Sequence, residues 1–259
     1  MTHIRSEWEV KKIHAACRLA AQAMEAAQNE IRPGVTTLMI SEKTREFIES
    51  EGGKAAFLGY HGFPGATCIS LNNEVVHGIP GNLALREGDI VKIDLGTYID
   101  GFYGDMARTF PVGEISQKAA DLLKATEYSL YEGIRQAITG NHVGDIGYAV
   151  QQYAEKRGYS VVRALVGHGI GRNLHEDPQV PNFGMPGKGT ILKTGMVLAI
   201  EPMINAGTFD VNTLNDNWTV VTSDGKLSSH FENTCVVRND FPEILTLMDG
   251  ELEWQKTIQ

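Results

Sequence analysis

Residues Ile90 to Phe110 form an apolar stretch, IVKIDLGTYIDGFYGDMARTF, with Asp100-Gly101 at its centre. Asp-Gly favours a tight two-residue turn, because both positions need positive φ and glycine adopts it without strain. The stretch is therefore predicted to fold as an antiparallel hairpin. With Asp100 and Gly101 in the turn, Asp94 falls opposite Ala107. Asp105 lies two residues before Ala107 and so points to the same face. The two carboxylates become diagonal neighbours with β-carbons about 7–8 Å apart. Ile93 and Leu95 then face the other way. Aspartate is depleted in strands, and two on one face of an apolar hairpin repel each other unless a cation lies between them. The alternative is a pair of solvent-facing strand residues.

Three further candidate donors lie in the later half. His168 sits in GHGIGRNLH, behind the strand-like segment Val161–Val166, where the glycines predict a sharp turn and little bulk around the imidazole. The third glycine comes too early for a dinucleotide fingerprint. His175 precedes Glu176-Asp177-Pro178, which reads as a polar bend at a site rim. Glu201 ends the apolar run Met196–Ile200, where burial without a partner is costly. Glu232 lies in HFENTCVV, another strand-like segment. Together Asp94, Asp105, His168, Glu201 and Glu232 offer four carboxylates and one nitrogen donor, a set that suits hard or borderline divalent ions. Two such ions about 3.5–4 Å apart share and acidify a water, which makes the pair a hydrolytic device.

The rest of the chain predicts where such a centre would sit. Ser6-Glu7-Trp8-Glu9 is a capping box, and Ile13, Cys17, Ala20, Met24, Ala27 and Ile31 follow at helical spacing. Pro33-Gly34 stops that helix. A second helix is predicted over Thr37–Glu51, then a loop of glycines and aromatics, then a strand over Thr67–Leu71. The later half repeats the plan, with a long helix over Ser116–Ile138, a shorter one over Asp145–Arg157, and a strand over Val161–Val166. The expectation is one α/β domain spanning 1–259, with pseudo-twofold halves of about 1–113 and 114–259.

Net charge is −9, which argues against broad attraction to nucleic acid or to an anionic membrane but leaves a local basic patch open. Three cysteines (Cys17, Cys68, Cys235) with no CxxC pair fit a reducing compartment better than a disulfide framework. The segment MTHIRSEWEVKK has no apolar core of a signal peptide, and no run of about 18 apolar residues occurs. These features predict a cytoplasmic protein.

Several long ordered blocks carry a resemblance. They are GYHGFPGATCISLNNEVVHGIP (Gly59–Pro80), VKIDLGTYIDGFYGDMARTF, GHGIGRNLHEDPQVPNFG, GMVLAIEPMI and NWTVVTSDGKLSSHFENT. Over nearly its full length the chain resembles the type I methionine aminopeptidases of bacteria, peptidase family M24A. The resemblance implies the pita-bread fold, a pseudo-twofold α/β arrangement with a central antiparallel sheet flanked by helices. It implies removal of the initiator methionine from nascent polypeptides when the second residue is small. Two divalent ions (Co2+, Mn2+, Fe2+ or Zn2+) would be held by Asp94, Asp105, His168, Glu201 and Glu232. Glu201 would serve as general base and then acid. His77 matches a histidine near the scissile bond, and His175 one that bonds the substrate carbonyl. Tyr60, Phe63, Cys68 and Trp218 match or neighbour the methionine pocket. Nascent N-termini as partners, transient contact with the ribosome and a monomeric state are also implied.

Three positions depart from the family pattern. Leu174 stands where many relatives carry phenylalanine, and Phe57 where some carry a small or thiol residue, so the two are expected to compensate. Asn233 follows Glu232 where many relatives have histidine, and is expected to touch the surroundings of the metal and its preference. Two rival readings stand beside this one. An X-proline aminopeptidase or prolidase would share the five ligands but usually carries a large extra N-terminal domain. A non-catalytic protein of the same fold would have lost ligands that this chain keeps.

Overall fold

The backbone N–H of Ser6 donates to Glu9 Oε2 and that of Glu9 to Ser6 Oγ, so helix α1 (Glu7–Asn29) starts at the expected capping box. The structure is a computed structural model that describes residues 2–251; Met1 and residues 252–259 of the expected 1–259 span lie outside the described residues. Helix α2 (Thr37–Ser50) follows, capped by Thr36. The chain then enters strands β1 (Lys54–Ala55), β2 (Cys68–Leu71), β3 (Glu74–Val76), β4 (Ile90–Ile99) and β5 (Phe102–Pro111). Helices α3 (Gln117–Ile134) and α4 (Val143–Glu155) come next. The remaining strands are β6 (Ser160–Val161), β7 (Val166–Gly169), β8 (Glu176–Pro181), β9 (Val197–Ile200), β10 (Met203–Asn205), β11 (Val211–Thr213), β12 (Val220–Thr222), β13 (Ser228–His230), β14 (Glu232–Val236) and β15 (Glu243–Ile244).

The central sheet is antiparallel, in the order β1-β4-β5-β14-β9-β7-β8, with β2 also pairing β4 and β15 also pairing β14. Two small sheets, β13-β10-β6 and β11-β12-β3, lie off it. The β4–β5 hairpin has the expected turn. Asp100 (φ 54°) and Gly101 (φ 86°) are both left-handed, and the register pairs Ile99 with Phe102 and Asp94 with Ala107.

One face of the sheet is covered by helices. Ala20, Met24 and Ala27 of α1 pack with Ile93, Leu95 and Met106, while Leu130 and Ile134 of α3 and Ile146 of α4 pack with Leu198, Ile200 and Cys235. The α1 contact is close enough to require glycine at 104. A β-carbon there would lie 2.6 Å from the backbone of Ala16 and Cys17. Thr97 Oγ1 donates to Ala16 O at 2.8 Å and fixes the helix on the strand.

The helix expected over Asp145–Arg157 lies two residues earlier, at Val143–Glu155, and two elements differ from the sequence expectation by more than that. The helix expected over Ser116–Ile138 has Ser116 as its cap and ends at Ile134, because Thr139 donates its N–H to Arg238 O at 2.9 Å and Ile138 bridges Arg238, drawing the backbone into an extended pairing. The expected strand Val161–Val166 is two strands. Val162 donates its N–H to Met203 O, Arg163 and Ala164 turn out to solvent, and the chain crosses from the small β13-β10-β6 sheet to the central one at Val166.

Candidate metal centre

Register places the site on the sheet face opposite the helices. Cys68 pairs with Asp94, Asp94 with Ala107, and Ala107 with Glu232, so these four side chains form a row across four strands. Asp105 is two residues from Ala107, on the same face, opposite Gly96. His168 pairs with Ala199. Glu201 lies just past β9, one position beyond the Asn233–Ile200 pair, level with Glu232. Asp105, His168 and Glu232 offer ligand atoms that all lie within 4.8 Å of one another. His168 Nε2 is 3.7 Å from Asp105 Oδ2 and 3.6 Å from Glu201 Oε1. These separations are too long for hydrogen bonds and suit donors that share an ion.

The glycines beside His168 act differently from the expectation. His168 is on strand β7, and neither neighbour has positive φ. A β-carbon at Gly167 would lie 2.4 Å from Ala199 O, and one at Gly169 2.3 Å from Asp177 O. Glycine is needed because the flanking strands approach closely, not because the chain turns. Likewise Glu176-Asp177-Pro178 opens strand β8 and is not a bend. Glu176 Oε1 accepts the N–H groups of Arg172 and Asn173 and holds the loop that carries His175.

Protonation supports a cation here. His168 Nδ1 lies 3.0 Å from Gly169 O, and since a carbonyl only accepts, Nδ1 carries the proton. Burial, reinforced by the neighbouring His175, pulls His168 down to about 3, so its Nε2 presents a bare lone pair to two carboxylates. Burial also raises the carboxyl groups of Asp94, Asp105, Glu201 and Glu232 above their ordinary range, and mutual repulsion adds to the rise for Asp105 and Glu232. Asp94 Oδ1, Asp105 Oδ1 and Glu232 Oε1 are buried with no hydrogen-bond partner. Unpartnered carboxylate oxygens facing a bare imidazole lone pair in a buried cluster fit divalent ions.

A pH prediction follows. An acid whose folded value is raised favours folding fully below its unfolded value of about 4, and loses that contribution as pH rises through the folded value. The buried imidazoles of His77, His168, His175 and His230, lowered in the folded state, act in the opposite sense below about 6.5, so the window lies above it. Chelator-treated protein is expected to melt at a lower temperature at about pH 8.5 than at about pH 7, and added Mn2+ to raise Tm more at the higher pH. Thermal melts at both pH values check this; a chelated protein whose Tm is level or rises between them contradicts it.

Above the carboxylates lies a cavity of about 400 Å3. Tyr60, Phe63, Cys68 and Trp218 all line it, with Phe63 and Trp218 edge-on at 5.1 Å between ring centres. Tyr60 Oη is 2.8 Å from His175 Nδ1, and the His175 ring sits 4.2 Å from that of His168. His77 also lines the cavity, with left-handed backbone (φ 60°) just past β3, and burial keeps its imidazole neutral, down to about 4. Phe57 and Leu174 line the same cavity and belong to one apolar cluster, with Phe57 seated where a side chain at Gly96 would be.

Asn233 does not touch the centre. Alternation puts it on the helix face, where its Oδ1 accepts from Arg108 Nη2 and Thr246 Oγ1 at 2.9 Å each. Arg108 also donates to the carbonyls of Ala107 and Glu232, so it fixes the backbone that presents Glu232. Sequence reading missed Arg108, the cavity-lining His61, and the buried His230; only the last had a legible signal, two residues before Glu232 and so of the same strand parity.

Carboxylates and one imidazole at the floor of a cavity, on this sheet, define a metal-dependent hydrolase. The profile of metallopeptidase family M24 matches residues 11–239. The chain is 49% identical over 248 residues to a methionine aminopeptidase of Clostridium perfringens, covering 96% of this chain and all of that one. It is 48% identical over 238 residues to methionine aminopeptidase 1 of Bacillus subtilis, covering 92% and 96%. The crystal structure of methionine aminopeptidase from Rickettsia prowazekii superposes with a TM-score of 0.94 at 44% identity, covering 95% of this chain and all of that one. The prolidase of Pyrococcus horikoshii shares the fold (TM-score 0.78) at 24% identity, and this chain covers 65% of it. The chain belongs to metallopeptidase family M24, among the type I methionine aminopeptidases, with their pita-bread fold.

Proposed function

We propose that the protein removes the N-terminal methionine of nascent polypeptides whose second residue is small. The observation that carries this is the convergence of Asp94, Asp105, His168, Glu201 and Glu232 beneath a slot walled by Tyr60, Phe63, Cys68 and Trp218. In this reading the five hold two divalent ions, which supply a water acidic near neutral pH. The donor set accepts Co2+, Mn2+, Fe2+ or Zn2+, and cellular supply selects among them.

The side chains divide the remaining work. Glu201 takes the proton of the attacking water and returns it to the leaving amine. Tyr60 donates its hydroxyl to His175 Nδ1, which leaves the proton of His175 on Nε2 for the carbonyl oxygen of the scissile bond. Asp94, at the far end of the carboxylate row, faces the free α-amine and so selects chain ends. Aromatic rings and the soft thiol of Cys68, which burial keeps protonated, suit an unbranched thioether. His77 touches the substrate near the scissile bond.

The reading extends to the whole chain as one domain of two related halves, 1–113 and 114–259, supported by the recurrence of a helix pair ahead of central-sheet strands. It takes the protein as a cytoplasmic monomer that meets nascent chains at the ribosome. Among the described residues no helix is long and apolar enough to cross a membrane.

A peptide panel tests the activity. Metal-reconstituted protein is expected to release methionine from Met-Gly-Met and Met-Ala-Ser and to spare Met-Leu and X-Pro peptides. Preference for X-Pro substrates would replace this reading with a prolidase-like one, and metal-loaded protein inert to every peptide would replace it with a binding role. His77→Ala is expected to lower kcat about 10²–10⁴-fold, the range of a lost positioned donor or acceptor, with metal content nearly unchanged. Elemental analysis beside the kinetics checks it; loss of metal would place His77 among the ligands instead.

A further inference from the structure

His230 ends strand β13, is 1% exposed, and has no hydrogen-bond partner at either ring nitrogen. A buried imidazole left so calls for a partner that a small motion or a bound group supplies. Its Nε2 is 3.7 Å from Glu201 Oε2, while Glu201 Oε1 is 3.6 Å from His168 Nε2. The Glu201 carboxylate therefore lies between two imidazoles, with one oxygen toward each.

The two imidazoles are not equivalent. His168 lines the cavity and belongs to the cluster of mutually close donors, whereas His230 does neither and approaches Glu201 from behind. The backbone of His230 is held on both sides. Its N–H donates to Thr109 Oγ1 at 3.0 Å, Thr109 Oγ1 donates to its carbonyl at 2.7 Å, and it pairs with Met203, two residues past Glu201. The backbone that presents the ring is thus fixed beside Glu201. An imidazole carries at least one N–H in either charge state, so the ring has a donor to give.

We propose that His230 is a positioning residue whose Nε2–H donates to Glu201 Oε2 once a small movement of the carboxylate closes their 3.7 Å separation. That bond would hold Oε1 toward His168 and fix the plane of the carboxylate that moves the proton. The proposal rests on the role given to Glu201 above.

The test compares His230→Leu, which has no donor, with His230→Gln, whose amide N–H reaches the same side; His230→Met replaces the leucine variant if that variant does not fold. With Met-Gly-Met as substrate, His230→Leu is expected to lower kcat about 10–100-fold with KM little changed, and His230→Gln to recover most of that loss. Calorimetric titration with Co2+ is expected to show the same order, weakest for leucine. Proton NMR of the Co2+-loaded protein gives a readout independent of turnover. One strongly shifted, exchangeable imidazole N–H, from His168, is expected in wild type and both variants.

Wild-type kinetics and Co2+ affinity in the leucine variant would overturn the proposal. So would a glutamine variant as poor as leucine, since the imidazole would then act otherwise than as a donor. A second shifted imidazole signal that disappears in the variants would make His230 a ligand and overturn it too. Wild-type protein that binds no Co2+ would instead overturn the reading of the site itself, and the proposal with it.

Discussion

Asp105→Ala is expected to lower kcat/KM for Met-Gly-Met by at least about 10³-fold, because the acidic water that the ions supply is lost with them. Asp105 is 3% exposed, sits opposite Gly96 near the middle of the hairpin, and has one oxygen with no partner and the other facing His168. It belongs to the tight trio with His168 and Glu232, so its removal breaks the cluster at its centre. Metal content should fall accordingly. Stability should move the other way. In ion-free protein Asp105 is one of several buried acids that raise each other's proton affinity, and deleting one relieves repulsion. Chelator-treated Asp105→Ala is expected to melt at or above the temperature of chelator-treated wild type. Activity lost with apo stability kept separates a ligand from a packing residue. A drop in both would mean that Asp105 supports the fold.

Glu201→Gln is expected to lower kcat by about 10²–10⁴-fold, the usual contribution of a positioned general base. The amide keeps an oxygen toward His168 but takes no proton from water. Metal binding should therefore weaken less than in Asp105→Ala, and KM should change little. Steady-state kinetics with parallel metal titration check this. Wild-type turnover in the variant would assign the proton transfer to another group.

The hairpin was legible because its information is local. Asp100-Gly101 fixes the turn, the turn fixes the register, and the register fixes that Asp94 and Asp105 share a face. Glu201 and Glu232 were legible as costly carboxylates on apolar strands. What the chain did not reveal locally depends on contacts between distant segments. Gly167 and Gly169 read as a turn, since a glycine required by a close strand crossing looks the same in sequence as one required by positive φ. Asn233 read as a neighbour of the metal because it adjoins Glu232, yet strand alternation sends it to Arg108 and Thr246 on the other face. Val161–Val166 read as one strand because apolar residues flank Arg163 on both sides, and its break is set by Met203, some forty positions on. His230 escaped notice for a related reason. It precedes Glu232 by two, but its significance comes from Glu201, on another strand end.

The most direct test is anomalous X-ray diffraction from crystals loaded with Co2+. Two strong anomalous peaks are expected in the cavity, ringed by the carboxylates of Asp94, Asp105, Glu201 and Glu232 and the Nε2 of His168. Peaks elsewhere on the chain, or none among these five side chains, would contradict the assignment.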